Sequence, residues 1–328
     1  DIQFTADGNQ LVSGSDDNTV RLWSMETLKD EKTFRGHNGS VRSLVLADQD
    51  SIILTASKDN RIKQWNIEQY AEVRVLHSHV LDEHRAEVLS ARFSKDGRRI
   101  VTASKDRSAL TWNSDTGKRL AQFSEGHQFL TSSAVVFPNG KWIATAAADN
   151  SVRVWDLDSA TQFFSLEPTG RAAALAVSAD NKWLMTGSED TKVGQENRYS
   201  AKVWSVDTRE LAFELTGETA NGYRGHLSEV TAVAFSPNGQ LALTGDVRGR
   251  VILWDLKTRT IKHDLEGHSP RFKISAVAFL SDGSRALTAS FDKTVAQWDI
   301  ATGQEIPGAI LRHNDAVTDL KVRKGDRQ

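Results

Sequence analysis

The sequence predicts an all-β protein built from seven copies of one four-stranded antiparallel sheet, and three observations predict it. Short apolar runs alternate with period two and are separated by turn residues, as strands are. Seven tryptophans, Trp23, Trp65, Trp112, Trp155, Trp204, Trp254 and Trp298, recur at intervals of roughly forty to fifty residues. Each follows the same turn-then-strand pattern.

The stretch Gly267 to Asp299, GHSPRFKISAVAFLSDGSRALTASFDKTVAQWD, gives the unit in its plainest form. Ile274 to Phe279 and Arg285 to Ser290 read as strands, with Ser281-Asp282-Gly283 as the turn between them. Phe291-Asp292-Lys293 turns the chain into a third strand, Thr294 to Trp298, and a fourth is expected from Glu305 to Leu311. One such meander is too small to bury both its faces, so the copies must stack on one another.

At this point the chain resembles the WD40 repeat β-propellers, over essentially its whole length. The resemblance rests on Trp155-Asp156, Trp254-Asp255 and Trp298-Asp299, with Gly36-His37, Gly126-His127, Gly225-His226 and Gly267-His268 upstream. It implies a seven-bladed propeller of four-stranded antiparallel blades, its ring closed by a C-terminal strand a that joins the N-terminal strands b and c. It also implies a hydrogen-bonded tetrad in each blade: the His of GH, an Asp in the b-to-c turn, a Ser or Thr on strand b and the Trp on strand c. Unpaired, such polar groups between blades would each cost about 1–3 kcal/mol.

Taken in order, the first blade opens with FTADGNQLVSGSDDNTVRLW and lacks its GH, which Arg312-His313 and the strand AVTDLKV at Ala316 to Val322 supply from the other end. His313 is therefore expected to meet Ser15, Asp17 and Trp23. Blade two is assigned His37, Ser57, Asp59 and Trp65, and blade three His84, Ser104, Asp106 and Trp112. Blade four keeps His127, Asp149 and Trp155 but has Ala147 at the serine position, leaving Thr145 as a substitute. Blade five offers Ser188, Asp190 and Trp204, with Pro168-Thr169-Gly170-Arg171 where GH belongs. Blade six has His226 and Trp254, but Arg248 replaces the turn Asp and Asp246 sits at the serine position. Blade seven carries His268, Ser290, Asp292 and Trp298.

Unbroken repetition over 328 residues argues for a single domain spanning 1–328, and an opening Asp1 in place of Met reads as a piece cut from a longer polypeptide. A net charge of −2 supplies no global field for nucleic acid or an anionic membrane. The absence of cysteine removes disulfides and thiol chemistry. No apolar run approaches a membrane span and no signal peptide is visible, so a cytoplasmic, monomeric domain within a larger protein is expected.

Catalysis and cofactors find no support. Ser, His and Asp recur in every blade, as a structural network does, whereas a catalytic triad occurs once. His77, His79 and His84 are close in sequence, yet no carboxylate or thiol completes a tetrahedral metal set at a fitting spacing. Neither a cofactor nor a metal is expected. Trp142 and Trp183, outside the repeated position, read as half-buried strand residues.

The connections carry the individuality of the chain. Extra residues fall at Leu76 to Glu83, Thr216 to Arg224, Val193 to Ser200 and Ser269 to Lys273, all in d-to-a or b-to-c connections, which share one edge of a four-stranded meander. Loops on a rigid scaffold are where binding residues gather. In each blade the residue three after His and the residue before the turn Asp should point to the mouth of the central channel, and the resemblance implies that such positions contact partner proteins. The candidates are Ser40, Lys58, Arg61, Glu87, Lys105, Arg107, Glu189, Glu229, Arg271, Phe272 and Phe291. One arc is basic, another acidic, and the phenylalanines supply an anchor, a combination suited to oriented recognition of a protein or peptide. The expected function is a non-catalytic protein-interaction scaffold. Its alternatives are a regulatory or substrate-recruiting module of a larger kinase or protease, and a nucleic-acid-binding propeller using Lys58, Arg61, Lys105 and Arg107.

Overall fold

A computed structural model describes residues 2–5, 10–24, 27, 29–47, 51–69, 71–76, 84–94, 97–123, 127–167, 170–189, 199–219, 222–223, 225–280, 282–306, 311–312, 316–317 and 320–321. Among them every regular element is a β-strand. The described strands form eight sheets: seven are the blades of a β-propeller, in which sequence neighbours pair, and the eighth is a two-stranded antiparallel ribbon of Glu218–Thr219 and Gly222–Tyr223. In the second blade the strands are Val41–Ala47 (a), Ile52–Ser57 (b), Ile62–Asn66 (c) and Ala71–Leu76 (d). The order recurs in the third blade (Val88–Phe93 through Arg119–Phe123), the fourth (Thr131–Val136 through Gln162–Leu166) and the fifth (Arg171–Val177 through Leu211–Leu215). The sixth runs from Val230–Phe235 through Thr260–Leu265 and the seventh from Ile274–Phe279 through Leu311–Arg312.

Burial explains why each strand has its composition. Strand b is buried on both faces, as in Ile52–Ser57 and Leu241–Asp246, and so reads as a continuous run of apolar and small residues. Strand d, as in Thr260–Leu265, alternates exposed and covered residues. In each strand b the hydroxyl residue (Ser13 in blade one, Thr in the others) is followed by Ala or Gly, because the following blade's strand a packs against that position. A Cβ on Gly187 would lie 2.6 Å from the Val230 carbonyl, and one on Gly245 would collide with Ile274.

Strand a begins with a bulge, the register slipping between Val41 and Ser43, Val230 and Ala232, and Ile274 and Ala276. A bulge re-aims the extra side chain. Thr231 Oγ1 thereby donates to the Ile274 carbonyl at 2.6 Å, and Ser275 Oγ donates to the Val317 carbonyl at 2.6 Å. Val317 N donates to the Ser290 carbonyl just as Val41 N does to Ser15, so Val317 occupies the first position of a strand a.

The first sheet has five strands, ordered Leu320–Lys321, Ile2–Phe4, Gln10–Gly14, Thr19–Ser24 and Asp30–Arg35. A C-terminal strand thus joins the N-terminal sheet, but beside Ile2–Phe4, because the N-terminal residues are long enough to pair with strand b themselves. In the seventh blade Glu305 bridges to Trp298 and Leu311–Arg312 pairs with Thr294 and Val295, at the two ends of the expected fourth strand; residues 307–310 between them lie outside the described residues.

By contacts the chain divides into two compact units, Asp1–Asp149 with Val154–Phe163 and Lys321–Gln328, and Asn150–Arg153 with Phe164–Leu320. In the first, one core joins Val12, Leu22, Phe34, Leu44 and Trp65, and another Val101, Phe123, Ile143 and Trp155. In the second, Met185, Val203, Leu215, Val230 and Trp254 pack together, as do Leu243, Leu253, Ile274, Phe279 and Trp298. In both, the repeated tryptophan lies where two successive sheets meet.

Candidate interaction surface and the tetrads behind it

The polar centre of each blade is a chain of hydrogen bonds. In blade two the Trp65 indole N–H donates to Thr55 Oγ1 at 2.8 Å, the Thr55 hydroxyl lies 2.8 Å from His37 Nε2, and His37 Nδ1 lies 2.7 Å from Asp59 Oδ2. With the proton on Nδ1 the indole, the hydroxyl and the imidazole each donate once along the chain and the carboxylate accepts at its end, which suits a neutral imidazole between a hydroxyl and a carboxylate. Blade three repeats it with Trp112, Thr102, His84 and Asp106, and blade seven with Trp298, Thr288, His268 and Asp292.

The hydroxyl is therefore Thr55, Thr102 or Thr288, two residues before the expected Ser57, Ser104 and Ser290. Residues two apart on a strand share a face, and the earlier one lies level with the indole. The serines do another job. Ser57 Oγ donates to the Gly39 carbonyl at 2.7 Å and accepts from Asp59 N, tying one loop to the next, as Ser104 does with Ala86 and Asp106.

The irregular blades are more regular than their sequences. In blade four Thr145 holds Trp155 and His127, both at 2.8 Å, with Asp149 on Nδ1, so Ala147 removes nothing from the chain. In blade six Asp246 reaches His226 Nδ1 at 2.9 Å from the serine position, and Thr244 holds His226 and Trp254. Arg248 is thereby released from the acid's duty. In blade five the Trp204 indole donates to Thr186 at 3.1 Å, in place of Ser188; Asp190 lies outside the described residues. In blade one Trp23 donates to Ser13 rather than Ser15. His313 also lies outside the described residues, and Asp17 closes its own turn on Thr19 at 2.5 Å.

The carboxylates of Asp59, Asp106 and Asp292 also fasten two loops. Asp59 accepts from the backbone N–H groups of Asn38, in the d-to-a connection, and Arg61, in the b-to-c turn. Burial raises the Asp59 carboxyl, but the His37 and backbone hydrogen bonds outweigh it and hold the group down to about 2. Asp106, Asp246 and Asp292 are lowered by the same balance of burial against bonds from their histidines.

The two positions expected to face a partner are joined by one backbone bond. Lys58 N donates to the Ser40 carbonyl, Lys105 to Glu87, Ala148 to Leu130 and Val247 to Glu229, at 2.9 to 3.0 Å. In blade seven the acceptor of Phe291 N is Lys273, not Arg271. Two extra residues after His268 push the register on, and Arg271 N bonds instead to the Arg248 carbonyl.

In the first unit Lys58, Arg61 and Arg107 are exposed and Ser40 is half-buried. Lys105 differs. Its Nζ lies 2.6 Å from Glu87 Oε2, while Arg42 bonds Glu87 Oε1 at 2.9 Å and Asp16 at 3.1 Å. Burial raises the Glu87 carboxyl, and the Lys105 and Arg42 bonds bring it below its usual range. Arg42 escaped the sequence reading because only the bulge in strand a turns it to this edge. Arg107 is held at φ 76°, a left-handed backbone that favours Gly or Asn.

In the second unit Glu229 is half-buried and Arg271 exposed. Phe272 is 47% exposed, and sequence reasoning passed over Leu227 at 57%. Phe291 is half-buried, with Lys273 Nζ 5.7 Å from its ring centroid. The side chains of Glu189 and Glu218 and the whole of Glu196 lie outside the described residues, as do His77 and His79. Trp142 is half-buried and stacked on Phe163 at 5.2 Å, and Trp183 is half-buried against Phe213.

Comparison with known proteins agrees with this geometry. The family described as "WD domain, G-beta repeat" matches residues 1–24, 28–66, 75–113, 117–156, 217–255 and 259–299, sparing the stretch around the histidine-less blade five. Striatin of Mus musculus is 23% identical over 81% of the chain, and Protein ROOT INITIATION DEFECTIVE 3 of Arabidopsis thaliana 26% over 78%. Human Apoptotic protease-activating factor 1 is 25% identical, also over 78%. The matches span 36%, 49% and 16% of those proteins, respectively. The repeat matches, the seven sheets and the recurring Trp-Thr-His-Asp chains converge: this chain belongs to the WD40 repeat family.

Proposed function

We propose that the chain is a non-catalytic scaffold that holds a protein or peptide partner on the blade edge formed by the d-to-a and b-to-c connections, as a module of a larger protein. The observation that carries this reading is the bond between the paired loop positions. It fixes Lys58 against Ser40, and Val247 against Glu229, while the Lys58 and Val247 side chains face solvent, so a rigid edge displays charge and apolar surface with little entropy left to lose. In the first unit Lys58, Arg61 and Arg107 present positive charge; in the second, Leu227, Val247 and Phe272 present exposed apolar surface. Such groups are typical of partner contacts. A catalytic role fits poorly, because the histidines that could perform it are buried and their pairing with an aspartate is repeated in blade after blade.

The reading is tested by affinity capture and mass spectrometry with the whole chain and two folded variants, Lys58→Glu with Arg61→Glu, and Phe272→Ala. Each should lose at least about tenfold of the specific capture, as removal of an interface anchor does. If both variants retain every protein the unaltered chain retains, the loop edge is not the interface. Capture of nucleic acid with steep salt dependence would instead favour the electrostatic reading of the basic residues.

A further inference from the structure

The geometry points to a second binding site, on the opposite edge of blades five and six, for an acidic peptide that carries a large apolar side chain. A cleft of about 670 Å³ opens there, bordered by the a-to-b turn at Asn238 and Gly239 and the c-to-d turn of blade six. Its volume lies within the range of pockets that hold small ligands or peptide side chains. Its apolar lining includes Trp183, Phe213, Phe235 and Leu256, all half-buried and resting on the core around Trp254. Trp183 and Phe213 stand 6.3 Å apart, centroid to centroid. Three aromatic rings half open to solvent on one cleft form a contiguous apolar patch that a second molecule can cover.

Charge selects the occupant. Lys257 and Lys262 line the cleft and are exposed, and the Arg259 guanidinium lies over the Phe213 ring at 4.8 Å. Among the described residues no carboxylate comes within ion-pair distance of any of the three. Asp255 also lines the cleft; its Oδ1 accepts from the backbone N–H groups of Lys257 and Thr258, both at 2.9 Å, and its negative charge, which the charge of Lys262 helps to hold, offsets one of the three cations and leaves the rim net positive. The cleft is therefore apolar at its base and cationic at its rim. An acidic segment would meet the lysines and seat one apolar side chain among the rings, with the charges setting its register. Single-stranded nucleic acid is the weaker fit: it needs a longer cationic track than three side chains, on a chain whose net charge is −2.

The test is fluorescence anisotropy of the whole chain with a fluorescein-labelled peptide in which glutamates flank a Leu-Phe pair. Saturable binding is expected. Lys257→Glu with Lys262→Glu, and separately Phe213→Ala, should each weaken it by about tenfold or more while circular dichroism shows an unchanged fold. Replacing the peptide's glutamates by glutamine, or its Leu-Phe by Ala-Ala, should do the same. Lys58→Glu with Arg61→Glu, on the other edge, should leave it unaltered. The inference is overturned by absent saturation, by equal binding of the glutamine peptide, by indifference to the cleft variants, or by tighter cleft-dependent binding of a single-stranded oligonucleotide.

Discussion

Replacing Asp246 by Ser is the sharpest test of how blade six holds together. Asp246 is 1% exposed, and its carboxylate accepts from His226 Nδ1 at 2.9 Å and from the backbone N–H groups of Arg248 and Arg250 at 2.8 and 3.0 Å. Hydrogen bonds to a charged group contribute about 1.5–3 kcal/mol each, and a buried donor left unpaired costs about 1–3 kcal/mol. The three bonds share one acceptor, so they do not add in full, and we expect Asp246→Ser to destabilise by about 3–4 kcal/mol. In blades two to four the aspartate lies 22 residues after its histidine, whereas Asp246 lies 20 after His226. The residue 22 after His226 is Arg248 (248 − 226). Adding Arg248→Asp to Asp246→Ser rebuilds the arrangement of Ser57 and Asp59, and should recover about half of the loss, as coupled neighbouring sites allow. Urea unfolding at neutral pH, followed by tryptophan fluorescence, measures both. A single variant within about 1 kcal/mol of the unaltered chain, or a double variant no more stable than the single, would refute the assignment of Asp246 as the acid of this blade.

Two further outcomes follow from the same bonds. Thr55→Val keeps the shape of the side chain but strips both the Trp65 indole and His37 Nε2 of their partner, and should cost about 2–4 kcal/mol, against about 1–2 for Ser57→Ala. Urea unfolding and the Trp65 indole N–H shift in a proton–nitrogen spectrum check this, and a costlier Ser57→Ala would return the tetrad to the serine. Acidification tests the carboxylates. Asp59 is held at about 2, below its ordinary 3.8, so its protons bind more tightly in the unfolded chain. Its contribution to stability is thus complete above the ordinary value and fades as pH falls from about 4 towards 2. The urea midpoint of the unaltered chain should drop across that window, and Asp59→Asn should show a shallower drop from a lower starting stability.

The repeat was legible in the sequence because its causes are local. Period-two alternation sets strands, turn residues end them, and the spacing of Trp65, Trp112 and Trp155 counts the sheets. The histidines and most turn aspartates were legible too. The hydroxyl partner was not, because Thr55 and Ser57 lie on the same face of one strand and only the height of the neighbouring indole decides between them. Register defeated the reading at two more places. The two extra residues after His268 move the paired loop position from Arg271 to Lys273. The bulge in strand a turns Arg42 towards Glu87, which removes Lys105 from the free basic residues.

By itself, then, the sequence determined the strand order, the number of sheets and the buried histidine–aspartate pairing, since each depends on residues close along the chain or repeated at a fixed period. Only the tertiary structure decided that Asp246 acts from a serine's position, that Ala or Gly must follow the threonine of strand b, and that Trp183, Phe213 and Phe235 share one cleft with Lys257 and Lys262 at its rim. Those facts depend on how one sheet meets the next, where distances of a few tenths of an ångström separate a contact from a clash, and no period in the sequence records them.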